Sequence, residues 1–257
     1  MTDTYNPKAF WNDRFRRYGH TGEMNSLLYA YDQPQRLRAI HKALSRAKIS
    51  IGSGKKILDV GCGTGDLIES FMKRGEPEIT GIDISDDTIS YTGRRFSTNN
   101  RVKFLTIAVE DMNFPSEFFD LVTGINVLQH ITNDRLFFKA IENMVRVVKT
   151  GGHILVMDFS PHKEQEEKKR GPYVIIRTQK EYRDVFERSG CAWVAEFGLP
   201  RLGVRLYAKC VRLVPSRISR LVKGALLKMS RPLDYLLVPF PYKYTDMGIL
   251  IFQKTSR

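Results

Sequence analysis

The sequence predicts an α/β fold whose sheet is mostly parallel and carries helices on both faces. Short apolar runs rich in β-formers alternate with helical patterns over residues 55–159. This alternation is typical of parallel strands joined by right-handed crossover helices. The chain also has 257 residues, 42% of them hydrophobic, which is enough to bury the core of one sizeable domain.

The first 50 residues precede this alternation and predict two helices. Residues 10–19 form a short helical pattern that ends at Gly19, and residues 33–47 form a longer amphipathic one. The apolar face of the second helix contains Leu37, Ile40 and Leu44. Four aromatic residues of this region are candidates either for a ligand pocket or for plain core packing: Trp11, Tyr18, Tyr29 and Tyr31.

A glycine-rich turn follows the first predicted strand. This strand, residues 57–60, contains Asp59 and leads into glycines at positions 61, 63 and 65. Glycine allows the positive φ angles of a tight turn and lets a ligand approach the backbone. The second strand ends at Asp83 and Ile84, about 20 residues further on, where a carboxylate meets the ribose in nucleotide-binding βαβ units. The pattern therefore predicts an adenosine-containing cofactor.

Asp66 argues against a dinucleotide as this cofactor. The dinucleotide fingerprint has a glycine at this position, where the following helix receives a pyrophosphate. An aspartate there repels phosphate. A cationic cofactor without phosphate groups therefore fits the sequence better.

The pattern Asp59-x-Gly61-x-Gly63-x-Gly65 resembles motif I of the class I S-adenosylmethionine (SAM) dependent methyltransferases of the small-molecule type. Later segments are similar to the same family in order and spacing, namely residues 108–115, 118–124, 126–131 and 145–156. The resemblance implies a Rossmann-like class I methyltransferase sheet, mostly parallel with one antiparallel strand near the C-terminus. It also implies that residues 1–50 form lid helices and that residues 51–257 form the SAM-binding domain.

The resemblance implies that SAM is the cofactor and assigns its binding to ten residues. They are Asp59, Gly61, Cys62, Gly63, Gly65, Asp83, Ile84, Val109, Glu110 and Asn126. Many family members have an acid in place of Ala108, so contact with the adenine here falls to the Val109 backbone or to Glu110. The three cysteines have neither a disulfide nor a metal-ligand spacing, and no metal is predicted.

The resemblance places His130 a few residues after the fourth strand, where it is the candidate catalytic base. A neutral imidazole can take the proton of a hydroxyl acceptor near pH 7. The alternative is a residue at a helix start that packs beneath the pocket. The Asn-Pro-Pro-Tyr tetrad of amino methylation is absent from residues 126–129, and no cysteine pair suits methylation of a cytosine carbon. By elimination, the sequence favours O-methylation of a small-molecule, sugar or lipid-linked acceptor.

The last third of the chain predicts a helix and two strands separated by an insertion. A capping-box pattern at Thr178 and Glu181 opens the helix. The strands are expected at residues 193–197 and 247–252, and the insertion at about residues 201–240.

Residues 201–231, within this insertion, are strongly basic. They contain nine Lys or Arg and no Asp or Glu, in a chain of formal net charge +13. Apolar positions recur at helical spacing around residues 216–229, a composition typical of surface-binding basic amphipathic helices. Three interpretations remain open: a solvated helix packed on its own domain, a helix that binds an anionic membrane or lipid phosphate, and a nucleic-acid contact.

The N-terminal sequence lacks the basic-then-apolar layout of a signal peptide. The apolar segments are too short and interrupted for a transmembrane helix. We therefore expect a cytoplasmic protein, with peripheral association at the inner face of the membrane if the basic insertion binds lipid. The alternative functions are an RNA methyltransferase and a SAM-binding regulatory protein without catalysis.

Overall fold

The computed structural model describes residues 5–22, 26–161, 170–199 and 247–256, with residues 225, 228–230 and 232 between them. The helices are α1 (Pro7–Tyr18), α2 (Ser26–Arg46), α3 (Asp66–Gly75), α4 (Asp86–Arg95), α5 (Asp134–Val147) and α6 (Gln179–Arg188). The strands are β1 (Lys56–Val60), β2 (Glu78–Asp83), β3 (Val102–Thr106), β4 (Phe119–Ile125), β5 (Val148–Phe159), β6 (Arg170–Gly171), β7 (Val174–Ile175), β8 (Cys191–Gly198) and β9 (Met247–Lys254).

Seven strands form one sheet in the order β3-β2-β1-β4-β5-β9-β8. Strands β1 to β5 pair in parallel, whereas β9 runs antiparallel to both of its neighbours, β5 and β8. This confirms the predicted sheet, mostly parallel with one antiparallel strand near the C-terminus. Strands β2 and β3 are added on one side of β1, and β4 and β5 on the other, so the order of the strands reverses between β1 and β4. Ligands of open α/β sheets bind at such a point.

The sheet buries a separate apolar cluster on each face. On one face, Phe137, Met144 and Phe186 of α5 and α6 pack on the sheet, and on the other face α2 and α3 contribute Ile40 and Phe71. Adjacent residues of β1 point to opposite clusters, since Ile57 belongs to one and Leu58 to the other. Both faces of β1 are therefore buried, which explains its continuous apolar sequence.

The two N-terminal helices are present, and both begin earlier than expected, α1 at Pro7 rather than at residue 10. Helix α1 ends as expected, because Gly19 adopts a left-handed conformation (φ 71°) and its N–H donates to the Phe15 carbonyl. Helix α2 begins at Ser26 rather than at residue 33 and continues through Pro34. Its first turns are held by side-chain hydrogen bonds to the glycine-rich turn, which the local sequence does not reveal.

The C-terminal elements also agree with the sequence. Thr178 and Glu181 form the capping box at the start of α6, and both predicted strands are present as β8 and β9. The insertion lies outside the described residues apart from the few positions between 225 and 232, of which Ser230 is hydrogen-bonded to Tyr31 of α2 at 3.0 Å. Among the helices that the structure describes, none combines the length and apolar character needed to cross a bilayer.

Candidate active site

The glycine-rich turn between β1 and α3 has the backbone conformation that glycine permits. Gly61, Gly63 and Gly65 all have positive φ angles, of 65°, 51° and 79°. A Cβ at Gly61 would lie 2.3 Å from Cγ2 of Val127. A side chain at this position is therefore disfavoured both by backbone strain and by contact with the segment after β4.

Two buried carboxylates lie beside this turn, at the ends of neighbouring strands. Asp83 accepts hydrogen bonds from the backbone N–H groups of Gly63 at 3.1 Å and Ser85 at 2.9 Å. Asp59 accepts from the Thr123 hydroxyl at 2.7 Å. Burial raises the pKa of both groups, that of Asp59 to about 7, with a further contribution from the nearby Asp83 charge. An approaching cation or hydroxyl donor would be stabilised here.

A cavity of about 340 Å³ opens above these carboxylates. The turns after β1, β2, β3 and β4 form its floor, and α1 and α2 cover it. Nearly all the predicted cofactor-binding residues line it: Asp59, Gly61, Cys62, Gly63, Asp83, Ile84, Val109, Glu110 and Asn126. Gly65 lies just beyond the lining, at the start of α3.

Asn126 supplies an unsatisfied acceptor to this cavity. It has an unusual positive φ of 56° for a non-glycine residue, and its N–H donates to the Met157 carbonyl at 2.7 Å. Its side-chain oxygen is buried and has no hydrogen-bond partner in the part of the chain that the structure describes. A buried acceptor of this kind is costly unless a ligand satisfies it, so Asn126 fits a ligand that carries an N–H donor.

Val109 and Glu110 begin a short 3-10 turn after β3. The Asn143 side chain of α5 donates to both of their carbonyl groups, at 3.2 and 2.9 Å, and so fixes the orientation of the turn. The Val109 side chain is buried, and burial raises the pKa of Glu110. This turn forms the part of the cavity wall where the family resemblance predicts contact with the adenine.

Asp66 connects the glycine-rich turn to the helices that cover the cavity. Its carboxylate accepts from the Tyr29 hydroxyl at 2.5 Å, the Gln33 amide at 3.2 Å and the Arg95 guanidinium at 2.7 Å. The aspartate that argues against a phosphate-bearing cofactor therefore also links the turn to the helices that cover the cavity. No signal near Asp66 in the sequence indicated its partners, because Tyr29 and Gln33 are more than 30 residues away.

The N-terminal helices contribute further residues to the cavity. Trp11 and Tyr29 line the cavity, as the pocket alternative expects, and Tyr31 lies in the core, as the packing alternative expects. Tyr18 is exposed and fits neither alternative. Arg36 of α2 also lines the cavity, although it is buried, and forms an ion pair of 2.6 Å with Asp32. The position of Arg36 on an amphipathic helix did not indicate from the sequence that it would line the cavity.

His130 ends a 3-10 turn, Leu128–His130, and lines the cavity next to Trp11. The two rings are in edge-to-face contact, with centroids 4.9 Å apart. Nδ1 lies 2.8 Å from the carbonyl oxygen of Tyr173, and because a carbonyl only accepts, Nδ1 carries the hydrogen. Burial, with a smaller contribution from Arg14, lowers the pKa of His130. The imidazole is therefore neutral near pH 7, with a lone pair on Nε2.

Comparison with known proteins identifies the family. A family model described as a methyltransferase domain matches residues 57–152. The ubiquinone biosynthesis O-methyltransferase of Dechloromonas aromatica (strain RCB) is 30% identical over 230 residues, which cover 87% of this chain and 85% of that protein. A ubiquinone/menaquinone biosynthesis C-methyltransferase of Bordetella avium (strain 197N) is 32% identical over 127 residues, so the chain spans about half the length of that relative (48%).

Solved structures share the fold at lower sequence identity. Phosphoethanolamine N-methyltransferase 2 of Haemonchus contortus, in complex with phosphomonomethylethanolamine and S-adenosylhomocysteine, has a TM-score of 0.61 and 15% identity, over 86% of this chain and 52% of that one. The [4+2]-cyclase SpnF has a TM-score of 0.59 and 20% identity, over 86% of this chain and 81% of that one. These two structures support the fold alone, and the same fold carries different chemistry in each.

The chain belongs to the class I SAM-dependent methyltransferases, and SAM is its cofactor. The cavity suits this cofactor, because its polar groups include the carboxylates of Asp59 and Asp83 and the oxygen of Asn126. SAM presents hydroxyl, ammonium and sulfonium groups, which are the donors and positive charges that such acceptors bind.

Proposed function

We propose that this methyltransferase methylates a hydroxyl oxygen of a small aromatic or quinone-type acceptor. The observation that carries the proposal is His130, which lines the cavity, contacts the Trp11 ring and carries its hydrogen on Nδ1, so that Nε2 is unprotonated. The name of the Dechloromonas aromatica relative, a ubiquinone biosynthesis O-methyltransferase, supports an acceptor of this class.

Six of the cavity residues are proposed to hold SAM. Asp83 would accept the ribose hydroxyls, and Asn126 Oδ1 would accept from the ammonium group. Arg36 would pair with the carboxylate of the methionine part, while Asp59 would favour the positive charge. The Val109–Asp111 turn, through Val109 and Glu110, would line the adenine.

The acceptor side of the cavity is proposed to be its aromatic and apolar wall. Tyr5, Trp11, Ile131 and Leu136 contribute to this wall around His130. A flat ring with an apolar substituent fits such a surface, and its burial against aromatic rings would hold it in place. Positioning supplies most of the rate of an in-line displacement, because the nucleophile must be aligned with the bond that breaks.

His130 would take the proton of the acceptor hydroxyl as the methyl group leaves SAM. SAM supplies an activated methyl group when it is bound, so the protein needs to contribute orientation and one proton acceptor. General-base assistance of this kind contributes about 10²- to 10⁴-fold.

The proposal is tested with methyl-labelled SAM and matched acceptors. A hydroquinone or catechol with a short isoprenoid tail should take up label, whereas the same compound with its hydroxyls blocked as ethers should not. His130→Asn should lose most of the rate with little change in the Kd for SAM. Label in RNA instead of the hydroquinone would favour the alternative of an RNA methyltransferase. Label on a ring carbon of the blocked compound would contradict O-methylation.

We further propose that residues 201–231 bring the enzyme to an anionic membrane, as their nine basic residues and the absence of acidic ones favour. Co-sedimentation with phosphatidylglycerol vesicles at low salt tests this, because electrostatic attraction is then strongest. Equal recovery with neutral phosphatidylcholine vesicles, or no binding to either, would contradict it. Preferential binding to RNA would assign the segment to nucleic acid.

A further inference from the structure

The side chain of Gln129 lies between β5 and the imidazole of His130. It is buried, with 4% of its surface exposed. Its oxygen accepts a hydrogen bond from the backbone N–H of Phe159 at 3.0 Å, and its nitrogen lies 3.2 Å from Nε2 of His130. Because a backbone N–H can only donate, the amide oxygen must face Phe159, and the NH₂ group must face the imidazole.

This orientation of the amide is a second argument for which ring nitrogen of His130 carries the hydrogen. An amide NH₂ only donates, so Nε2 of His130 must accept and cannot carry a hydrogen. The Tyr173 carbonyl at 2.8 Å from Nδ1 independently requires the hydrogen on Nδ1. Two contacts on opposite sides of the ring thus define the same neutral tautomer.

We propose that Gln129 is a positioning residue that holds His130 in the Nδ1–H tautomer, with Nε2 available as the proton acceptor of the transfer. This inference rests on the proposed function of His130. A protonated Nε2 would direct its N–H against the NH₂ of Gln129, so Gln129 opposes protonation of the free enzyme. The 3.2 Å separation lies at the long limit of a hydrogen bond, and a hydroxyl of the acceptor can replace it.

The same contact favours release of the proton after the reaction. As the new O–CH₃ bond forms and the S–CH₃ bond breaks, the O–H bond of the acceptor breaks and its proton moves to Nε2. The imidazolium that results faces the NH₂ donor of Gln129. It therefore passes the proton on to water and returns to the neutral tautomer.

Charged groups on the neighbouring elements also lie around this contact. Arg14 of α1 lowers the pKa of His130. Arg177 donates to the carbonyls of Leu128 and Ile131, at 3.3 and 3.1 Å, and pairs with Asp134 of α5. Asp158 of β5 is buried beside Phe159. None of these residues is substituted in the variants below, and Asp158, with a pKa raised to about 7 by burial, titrates in both proteins. A difference between the His130 titrations of the variant and the wild type is therefore assigned to position 129.

The test is ¹⁵N NMR of the imidazole in wild-type protein and in Gln129→Glu, across a pH series. The signal is assigned with His130→Asn. A carboxylate at position 129 still accepts from the Phe159 N–H, but its other oxygen accepts from Nε2–H and stabilises the charged ring. We expect the wild-type ring to carry its hydrogen on Nδ1, and Gln129→Glu to increase its proton affinity about tenfold or more.

Gln253→Glu is the matched control for the change of amide to acid. Gln253 pairs with His153 at the opposite end of the β5–β9 ladder from Phe159, and its amide donates to the Gly151 carbonyl. It should leave the His130 titration unchanged. If Gln129→Glu moves that titration no further than the control does, the inference is wrong. A hydrogen on Nε2 of the wild-type ring would also overturn it, and that measurement does not depend on whether Gln129→Glu folds.

Kinetics separate a positioning role from a merely structural one. In Gln129→Glu the acid limb of kcat should move to higher pH, with activity recovered at alkaline pH and the Kd for SAM unchanged. Loss of the same fraction of activity at every pH would contradict positioning. Failure of the proposed function looks different, because His130→Asn would then retain full activity while the tautomer of the wild-type ring could still be as inferred.

Discussion

Asp83 uses both of its carboxylate oxygens to order the cofactor end of the cavity. One oxygen holds the Gly63 N–H and the other the Ser85 N–H. Asp83→Ala should therefore weaken SAM binding by removing both an acceptor for the ribose and the support of the turn. Hydrogen bonds to charged groups contribute about 1.5–3 kcal/mol, so we expect the Kd from calorimetry to rise about 10- to 150-fold.

Asp86→Ala is the control for this change. Asp86 begins α4 three residues later and pairs with Lys8 at 2.7 Å on the exposed surface. It should leave the Kd for SAM close to the wild-type value. Equal affinity of the two variants would contradict the assignment of Asp83 to the cofactor.

Gly61 is constrained by the segment after β4 as well as by its own backbone. Gly61→Ala places a Cβ 2.3 Å from Val127 Cγ2, at a φ of 65°. Gly54→Ala has a similar φ of 80° but meets no atom within 4 Å, so it measures the backbone contribution alone. Urea denaturation should show Gly61→Ala to be less stable than Gly54→Ala by about 1–3 kcal/mol, the usual cost of overpacking. Equal losses would show that Val127 moves aside freely.

Helix α2 is fastened to the glycine-rich turn at its N-terminal end. The Tyr29 hydroxyl donates to Asp66, and Gln33 donates to the same carboxylate. Tyr29→Phe keeps the ring, which stacks on His20 with centroids 4.0 Å apart, and removes the hydroxyl only. A loss of about 1 kcal/mol should raise the Kd for SAM about fivefold and accelerate hydrogen exchange in the first turns of α2.

The matched variant for this change is Tyr91→Phe, on the exposed surface of α4. It removes a hydroxyl that does not line the cavity. If the two variants have the same SAM affinity and exchange rates, the contact between Tyr29 and Asp66 does not couple α2 to the turn.

The elements that were predictable from the sequence are those whose signals are local. The end of α1 at Gly19, the capping box of Thr178 and Glu181, and the glycine-rich turn are each defined by residues within a few positions of one another. The early start of α2 and the role of Gln129 depend on partners about 30 residues away. A pattern of neighbouring residues carries no information about such pairs before the strand order is known.

At the scale of the whole molecule, the order of the strands determines where the chemistry occurs. The reversal between β1 and β4 brings the turn after β1 and the segment after β4 together. Gly61 and Val127 meet there, and Asp59 contacts Thr123 of β4. Residues separated by about 60 positions thus share one cavity, and this follows from the topology expected for the family.

A buried acid in the sheet should make the stability of the fold depend on pH. Asp158 is fully buried in β5 and accepts from the Tyr182 hydroxyl at 2.9 Å. Burial raises its pKa from 3.8 to about 7. The folded protein therefore holds this proton more tightly than the unfolded chain does. The resulting stabilisation is complete below about pH 4 and is lost as the pH rises through about 7.

Asp158→Asn removes this titration, because an amide stays neutral and can still accept from Tyr182. Relative to wild type, the variant should gain stability between pH 4 and pH 8, by roughly 1–4 kcal/mol at about 1.4 kcal/mol per pKa unit. Urea denaturation at several pH values measures the difference. Asp184→Asn should instead lose stability relative to wild type in the same pH range. The hydrogen bond and charge of Lys180 lower the pKa of exposed Asp184, so its ionised form stabilises the folded protein. Parallel stability curves for wild type and Asp158→Asn would mean that Asp158 is ionised in the folded protein, with its charge compensated by the neighbouring Arg177.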